Sequence, residues 1–332
     1  MKKLYTSLSL ITLALAAVAI YGLTSKHSAS ANAAMSAPVP AAVQNGGVTL
    51  PSTNIYAITN DNTLFVLRPG STSFSRINTI SNVNGTIIGM DFRVADGRLY
   101  AVSDTGVLYT ISLSNAAATQ VSTLTSRFDG GVQSLLDFNP VANAIRLIGS
   151  NDQNYAVTNA NGGNLNQTVV QTKLAYVAGD PNANTDPNIT GGSYTNNFVG
   201  AKTTIFYALD YANDNVVGIA RPLTATGSSN TGGGQLQTIG KLFDNNNNNG
   251  QPVNFGPTSD FDIYTDAQGV NTGIILNGNR LITFAISQIN QNLPVGATQN
   301  LGGFGVTLGS SSNSTGFIDV AAQPLPVLTA SR

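Results

Sequence analysis

The sequence predicts an all-β protein, a β-propeller-like ring of about six blades built from antiparallel hairpins. Three observations predict it. Short apolar strands come in pairs around turns rich in Gly, Asn and Asp. The pairs recur with steps of 44 residues (Tyr56 to Tyr100) and 46 residues (Tyr100 to Arg146), the period of a four-stranded blade. No amphipathic helical pattern follows the N-terminal segment.

The first hairpin joins Ile55-Tyr56-Ala57-Ile58 to Leu64-Phe65-Val66-Leu67. The second joins Leu99-Tyr100-Ala101-Val102 to Val107-Leu108-Tyr109-Thr110-Ile111 through Ser103-Asp104-Thr105-Gly106. The third joins Ile145-Arg146-Leu147-Ile148 to Tyr155-Ala156-Val157. The fourth joins Phe206-Tyr207-Ala208-Leu209 to Val216-Val217-Gly218-Ile219, and the fifth joins Ile274-Ile275-Leu276 to Leu281-Ile282-Thr283-Phe284 across Asn277-Gly278-Asn279. The later steps lengthen to 61 and 68 residues, as inserted loops would make them. One blade cannot cover both of its apolar faces, whereas blades in a ring cover each other. About 270 residues at about 45 per blade give five to seven blades, with six as the central value. A pair of β-sandwiches is the alternative arrangement.

A second repeated element precedes the hairpins. Gly89-Met90-Asp91-Phe92-Arg93 leads into the second hairpin and Leu135-Leu136-Asp137-Phe138-Asn139-Pro140 into the third. Asp91 and Asp137 are 46 residues apart, and Ser259-Asp260-Phe261-Asp262 reads as a third copy. An Asp recurring at the blade period is expected to accept backbone N–H groups in each blade. Arg98 and Arg146 are read as its partners or as exposed strand residues.

The flanks of the repeat domain have different compositions. Lys2 and Lys3, an apolar run from Leu8 to Leu23 and small residues up to Ala33 make residues 1–31 a secretory signal peptide. The apolar run is shorter than the roughly 20 residues that span a bilayer. Residues 32–50, rich in Ala, Pro and Gly, form a flexible leader; 51–322 form the repeat domain and 323–332 a C-terminal tail. The expected location is therefore the periplasm or the extracellular medium, with no membrane span in the mature chain.

Composition narrows the chemistry. Charged residues make up 9% of the chain, so solubility rests on Asn, Thr, Ser, Gln and Gly. Without residues 1–31, 12 basic groups face 16 acidic ones, a balance of −4 that offers nucleic acid no basic footprint. Cys is absent, so disulfides do not hold the fold. The single His is His27, within the signal peptide, and every acid is Asp. The mature chain therefore has no imidazole, thiol or Glu for a Ser-His-Asp triad or an imidazole- or thiolate-based metal site.

Several of these residues resemble a bacterial family of exported, propeller-like repeat proteins known as domain of unknown function 4394. The resemblance rests on Gly89-Met90-Asp91-Phe92-Arg93 with Gly97-Arg98-Leu99-Tyr100, and on Asp137-Phe138-Asn139-Pro140 with Ile145-Arg146. It also includes Ala178-Gly179-Asp180-Pro181-Asn182 and Tyr194-Thr195-Asn196-Asn197-Phe198, and covers roughly residues 52 to 290. It implies a propeller-like architecture and brings no activity or catalytic residues.

Three groups of residues are candidate sites. Asp260 and Asp262, two apart on a strand, share a face and are the candidates for an acid–base pair of the glycosidase type. Asp180, Asn182, Asn184 and Asp186 place oxygens at relative positions 1, 3, 5 and 7, the spacing that opens an EF-hand loop, and so suggest calcium. The loop lacks the glycine at position 6 and the Glu at position 12; an Asx-rich turn is the alternative. Tyr194, Asn196 and Asn197 combine an aromatic ring with amides, which suits sugar binding. The reading that follows is an exported, non-catalytic binding or scaffold module for a glycan or an envelope or extracellular protein. The alternatives are an Asp-dependent polysaccharide-acting enzyme and a self-associating matrix or adhesion protein.

Overall fold

The computed structural model describes residues 50–159, 165–219, 233–246, 250–309 and 316–325. The expected signal peptide, all but the last residue of the expected leader, and residues 326–332 lie outside the described residues. No described helix is long and apolar enough to cross a membrane.

The expected hairpins are present. β1 (Ile55–Thr59), β2 (Thr63–Leu67) and β3 (Ser75–Thr79) form an antiparallel meander. β4 (Ile87–Arg93), β5 (Arg98–Ser103), β6 (Val107–Ile111) and β7 (Ala118–Thr123) form a complete four-stranded sheet. So do β8 (Ser134–Asn139), β9 (Ala144–Gly149), β10 (Asn154–Asn159) and β11 (Leu165–Val170). The two-residue β12 (Ala175–Tyr176) lies parallel to β16 (Gln235–Asp244), the last strand of a sheet begun by β13 (Ile189–Tyr194), β14 (Phe206–Asp210) and β15 (Asn215–Ile219). β17 (Asp260–Thr265), β18 (Asn271–Asn277), β19 (Arg280–Ala285) and β20 (Gln299–Thr307) follow. β21 (Phe317–Ala322) then pairs with β1 and becomes the innermost strand of the first sheet.

Each set of four antiparallel strands is a blade, and the fourth and fifth are continuous in one nine-stranded sheet through β16 and β20. The innermost strands touch in a cycle, β21 to β4 to β8 to β13 to β17 and back to β21. This makes five blades among the described residues, not six, and the closed cycle displaces the β-sandwich alternative. The count differs because the fourth and fifth blades carry long connections, which stretch the repeat.

Burial explains the ring. Five apolar clusters each lie between two adjacent blades. Strand alternation sends Tyr56 and Ile58 toward the second blade and Ile55 and Ala57 toward the fifth. Both faces of a blade are thus buried, so these strands read as continuous apolar runs. Burying a side chain such as Phe138 stabilises the fold by about 1.5–3 kcal/mol.

Two close backbone approaches require glycine. At Gly191 in β13 a Cβ would run into the backbone of Phe261 and Asp260 in β17. At Gly240 in β16, with φ +149°, it would overlap the carbonyl of Gln299. Gly240 begins the parallel pairing of β16 with β20 that joins the fourth and fifth blades at their outer edges.

Candidate functional site

The ring brings the repeated aspartates to its axis. Asp91 in β4 accepts the Phe138 N–H of β8 at 2.8 Å, and Asp137 in β8 accepts the Tyr194 N–H of β13 at 3.0 Å. In β13 the equivalent place is taken by Ser193, whose hydroxyl donates to Asp262 in β17 at 2.8 Å. Asp260 and Asp262 accept the Val320 and Ala322 N–H groups of β21 at 2.7 and 2.5 Å. Asp319 in β21 accepts the Met90 N–H of β4 at 2.9 Å and completes the circle. Every blade is therefore tied to the next by a polar side chain on its innermost strand. The expected role of Asp91 and Asp137 as backbone acceptors holds, with the bond running across blades.

All five carboxylates are buried, Asp91 at 4% exposure and Asp137 and Asp319 at 2%. Burial, reinforced by repulsion from neighbouring carboxylates, pushes Asp91, Asp137 and Asp319 well above the usual carboxylate range. Burial raises Asp260 to about 7 and raises Asp262 as well, against the lowering effect of their N–H partners. A narrow void of about 190 Å³ between the innermost strands is lined by all five and leaves no room for a water-sized sphere. Oxygens of Asp91, Asp137 and Asp262 all lie within 4.8 Å of one another.

The sequence candidates occupy three different settings. Asp260 and Asp262 do share a face of β17, turned toward β21. A glycosidase-type pair needs access to substrate, and both are 3% exposed. In the Asp180 loop, Asp180 turns inward: its oxygens accept the Thr238 N–H and hydroxyl, each at 2.7 Å, and the Asn182 N–H at 2.9 Å. The Asn182 amide donates to the Thr238 hydroxyl at 2.9 Å. Asn184 adopts φ +73° in the turn, and Asp186 lies against Asp152. This is an Asx turn pinned to β16.

Tyr194 is 1% exposed, its ring edge-on to Phe206 at 4.7 Å and its hydroxyl accepting from Arg146 Nε at 2.8 Å. Its ring belongs to the core. Asn196 and Asn197 tie the β13–β14 connection to the fifth blade. The Asn196 N–H donates to Asn271 Oδ1 at 2.8 Å and the Asn197 N–H to Thr265 Oγ1 at 2.8 Å. Arg146 is 2% exposed, stacks 5.7 Å over the Phe206 ring and donates to Asn154 at 2.6 Å. It stands opposite Asp137 in register, where the second blade has Tyr100 opposite Asp91, while Arg98 is exposed. Asp319 and Ser193 were missed in the sequence. The signal for Asp319 was present: Ile318-Asp319-Val320 repeats the apolar–Asp–apolar pattern of Met90-Asp91-Phe92.

The surface offers a different feature. An open groove of about 750 Å³ lies between the segment before β1 (Ser52, Thr53, Asn54), the β4–β5 turn and the segment after β21 (Gln323, Pro324, Leu325). All three segments join, or lie where they would join, an innermost strand to the second strand of its blade. The same class of connection carries the exposed apolar side chains Val141, Phe198, Val199 and Val270.

A family model described as "Domain of unknown function (DUF4394)" matches residues 63–312. Among solved structures, the chain is similar to a structural genomics protein of unknown function from Bacteroides thetaiotaomicron VPI-5482. Identity is 15%, coverage is 72% of this chain and 54% of that one, and the TM-score is 0.41. It is also similar to YCF48 bound to D1 peptide, with 9% identity, 75% and 62% coverage and a TM-score of 0.32. The chain thus spans less than two thirds of the length of either. No curated protein matches.

Proposed function

This chain belongs to the family described as Domain of unknown function (DUF4394), and from its own geometry we propose that it is an exported, non-catalytic binding scaffold for an envelope or extracellular glycan. The observation that carries the reading is the groove beside Ala95. It is open, within the size range of ligand sites, and lined by the neutral polar Thr53, Asn54 and Gln323, by the Asp96 carboxylate and by the apolar Pro324 and Leu325. Neutral hydrogen-bonding groups and one carboxylate beside apolar surface suit the hydroxyls of a sugar polymer, and they offer an anionic ligand no basic partner. The axial carboxylates support the non-catalytic part of the reading. Each is engaged in blade-to-blade bonding, in a void too tight to hold both a substrate and an attacking water.

Binding of the purified protein to a panel of envelope polysaccharides tests this. Saturable binding to at least one glycan, lost in Ala95→Trp, is the expected result. Ala95 is exposed, so the indole fills the groove without entering the core. Binding that survives Ala95→Trp would move the site elsewhere, and turnover of a glycan by the wild type would replace the scaffold reading with an enzymatic one.

A further inference from the structure

We propose that the axis of the propeller is a calcium site, formed by Asp91, Asp137 and Asp262 and completed by Asp319. The first observation is the convergence of three carboxylate oxygens within 4.8 Å of one another, contributed by three different blades. Calcium bonds oxygen at 2.3–2.6 Å, so two oxygens on opposite sides of the ion lie up to about 4.6–5.2 Å apart. Magnesium, at 2.0–2.1 Å, usually keeps several waters in its shell.

The second observation is independent of that spacing. Asp319 is 2% exposed, and its Oδ1 has no hydrogen-bond partner among the described residues although it lines the same void. Its Oδ2 is the atom that receives the Met90 N–H. A buried carboxylate oxygen without an N–H donor calls for a cation or for a proton shared with the carboxylate beside it, here Asp260. None of the residues lining the void is basic. The void is also too tight for a free water, so the ion's shell would come from the protein. That suits a cation accepting mono- or bidentate carboxylates and disfavours one that keeps its waters. The N–H bonds to Asp91 and Asp137 leave lone pairs on their carboxylates for the ion. The site is distinct from the Asp180 loop, where the carboxylate is turned into β16.

Metal analysis of the purified chain equilibrated with calcium, paired with thermal melts in EDTA, calcium and magnesium, tests the site. The expected result is one calcium per chain and a melting temperature about 5 °C higher in calcium at a hundredfold excess over Kd than in EDTA, with no comparable rise in magnesium. Asp319→Asn keeps an oxygen for Met90 and presents an amide N–H₂ in place of Oδ1. It should weaken calcium at least tenfold yet melt above the wild type in EDTA, because a donor then faces the carboxylates. Asp180→Ala with Asp186→Ala should leave the calcium response unchanged. Absence of bound calcium with identical melts in EDTA and calcium would overturn the proposal. So would a calcium response that persists in Asp319→Asn and vanishes in the Asp180 and Asp186 double variant.

Discussion

Asp319 accepts the backbone N–H of Met90 at 2.9 Å, joining two residues 229 positions apart in the chain. The bond lies where the chain closes on itself. β21 is simultaneously the innermost strand of the first blade, the partner of β1 and the neighbour of β4 and β17. Removing it would open the ring and expose Tyr56, Ile58 and Ala57 along a bare strand edge. A chain ending at residue 316 should therefore lose its cooperative melt and bind a hydrophobic dye. A sharp transition within a few degrees of the intact protein would show that four complete blades suffice without closure.

The bond between Asp137 and Tyr194 is the simplest test of the inter-blade clamps. Asp137→Ala leaves the Tyr194 N–H buried without an acceptor and opens a small cavity at the axis. The expected loss, by urea denaturation in EDTA, is about 2–4 kcal/mol. Asp137→Asn retains an acceptor and removes a buried carboxylate from among its neighbours, so it should cost less than about 1 kcal/mol. Equal losses for the two variants would mean that the charge, and not the hydrogen bond, is what the fold uses.

The sequence carries the repeat but not its closure. Asp91 and Asp137 stand out because the second and third blades have short connections and keep a 46-residue step. Asp260 and Asp262 follow a long fourth blade, and Asp319 lies beyond another lengthened unit, so a periodicity argument does not reach it. Its blade is also completed by β1 at the opposite end of the chain, a pairing that local pattern cannot express. Ser193 replaces the aspartate in β13 and so breaks the motif where the chain keeps the contact, by donating to Asp262. Tyr194 misleads for a related reason. Next to Asn196 and Asn197 it resembles a surface cluster, but the innermost strands are buried on both faces and its ring meets Phe206. The groove joins segments from both ends of the repeat domain to the β4–β5 turn, and it exists only once the ring has closed.

Asp152 provides a pH test away from the axis. It sits in the β9–β10 turn at φ +67°, with Oδ1 buried and without a hydrogen-bond donor among the described residues. Burial and then the charge of Asp186 raise Asp152 to about 6, and Lys173 offsets only part of this. In the unfolded chain the group titrates near 3.9. The folded protein therefore holds this proton to higher pH than the unfolded chain does. Its stabilising contribution is full below about pH 3.9 and is lost as pH rises through about 6. Asp152→Asn removes the ionisation, and Asn tolerates the left-handed backbone. At pH 8 the variant should melt about 1–3 °C above the wild type, a small gain because the pair is partly exposed to solvent. At pH 3.5, below the unfolded value, the gain should all but disappear. Subtracting the two melting curves cancels every group they share, the axial aspartates included, so the difference reports Asp152 and its neighbour alone. A gain of the same size at both pH values, or a loss at pH 8, would show that the fold does not raise Asp152 above its unfolded value.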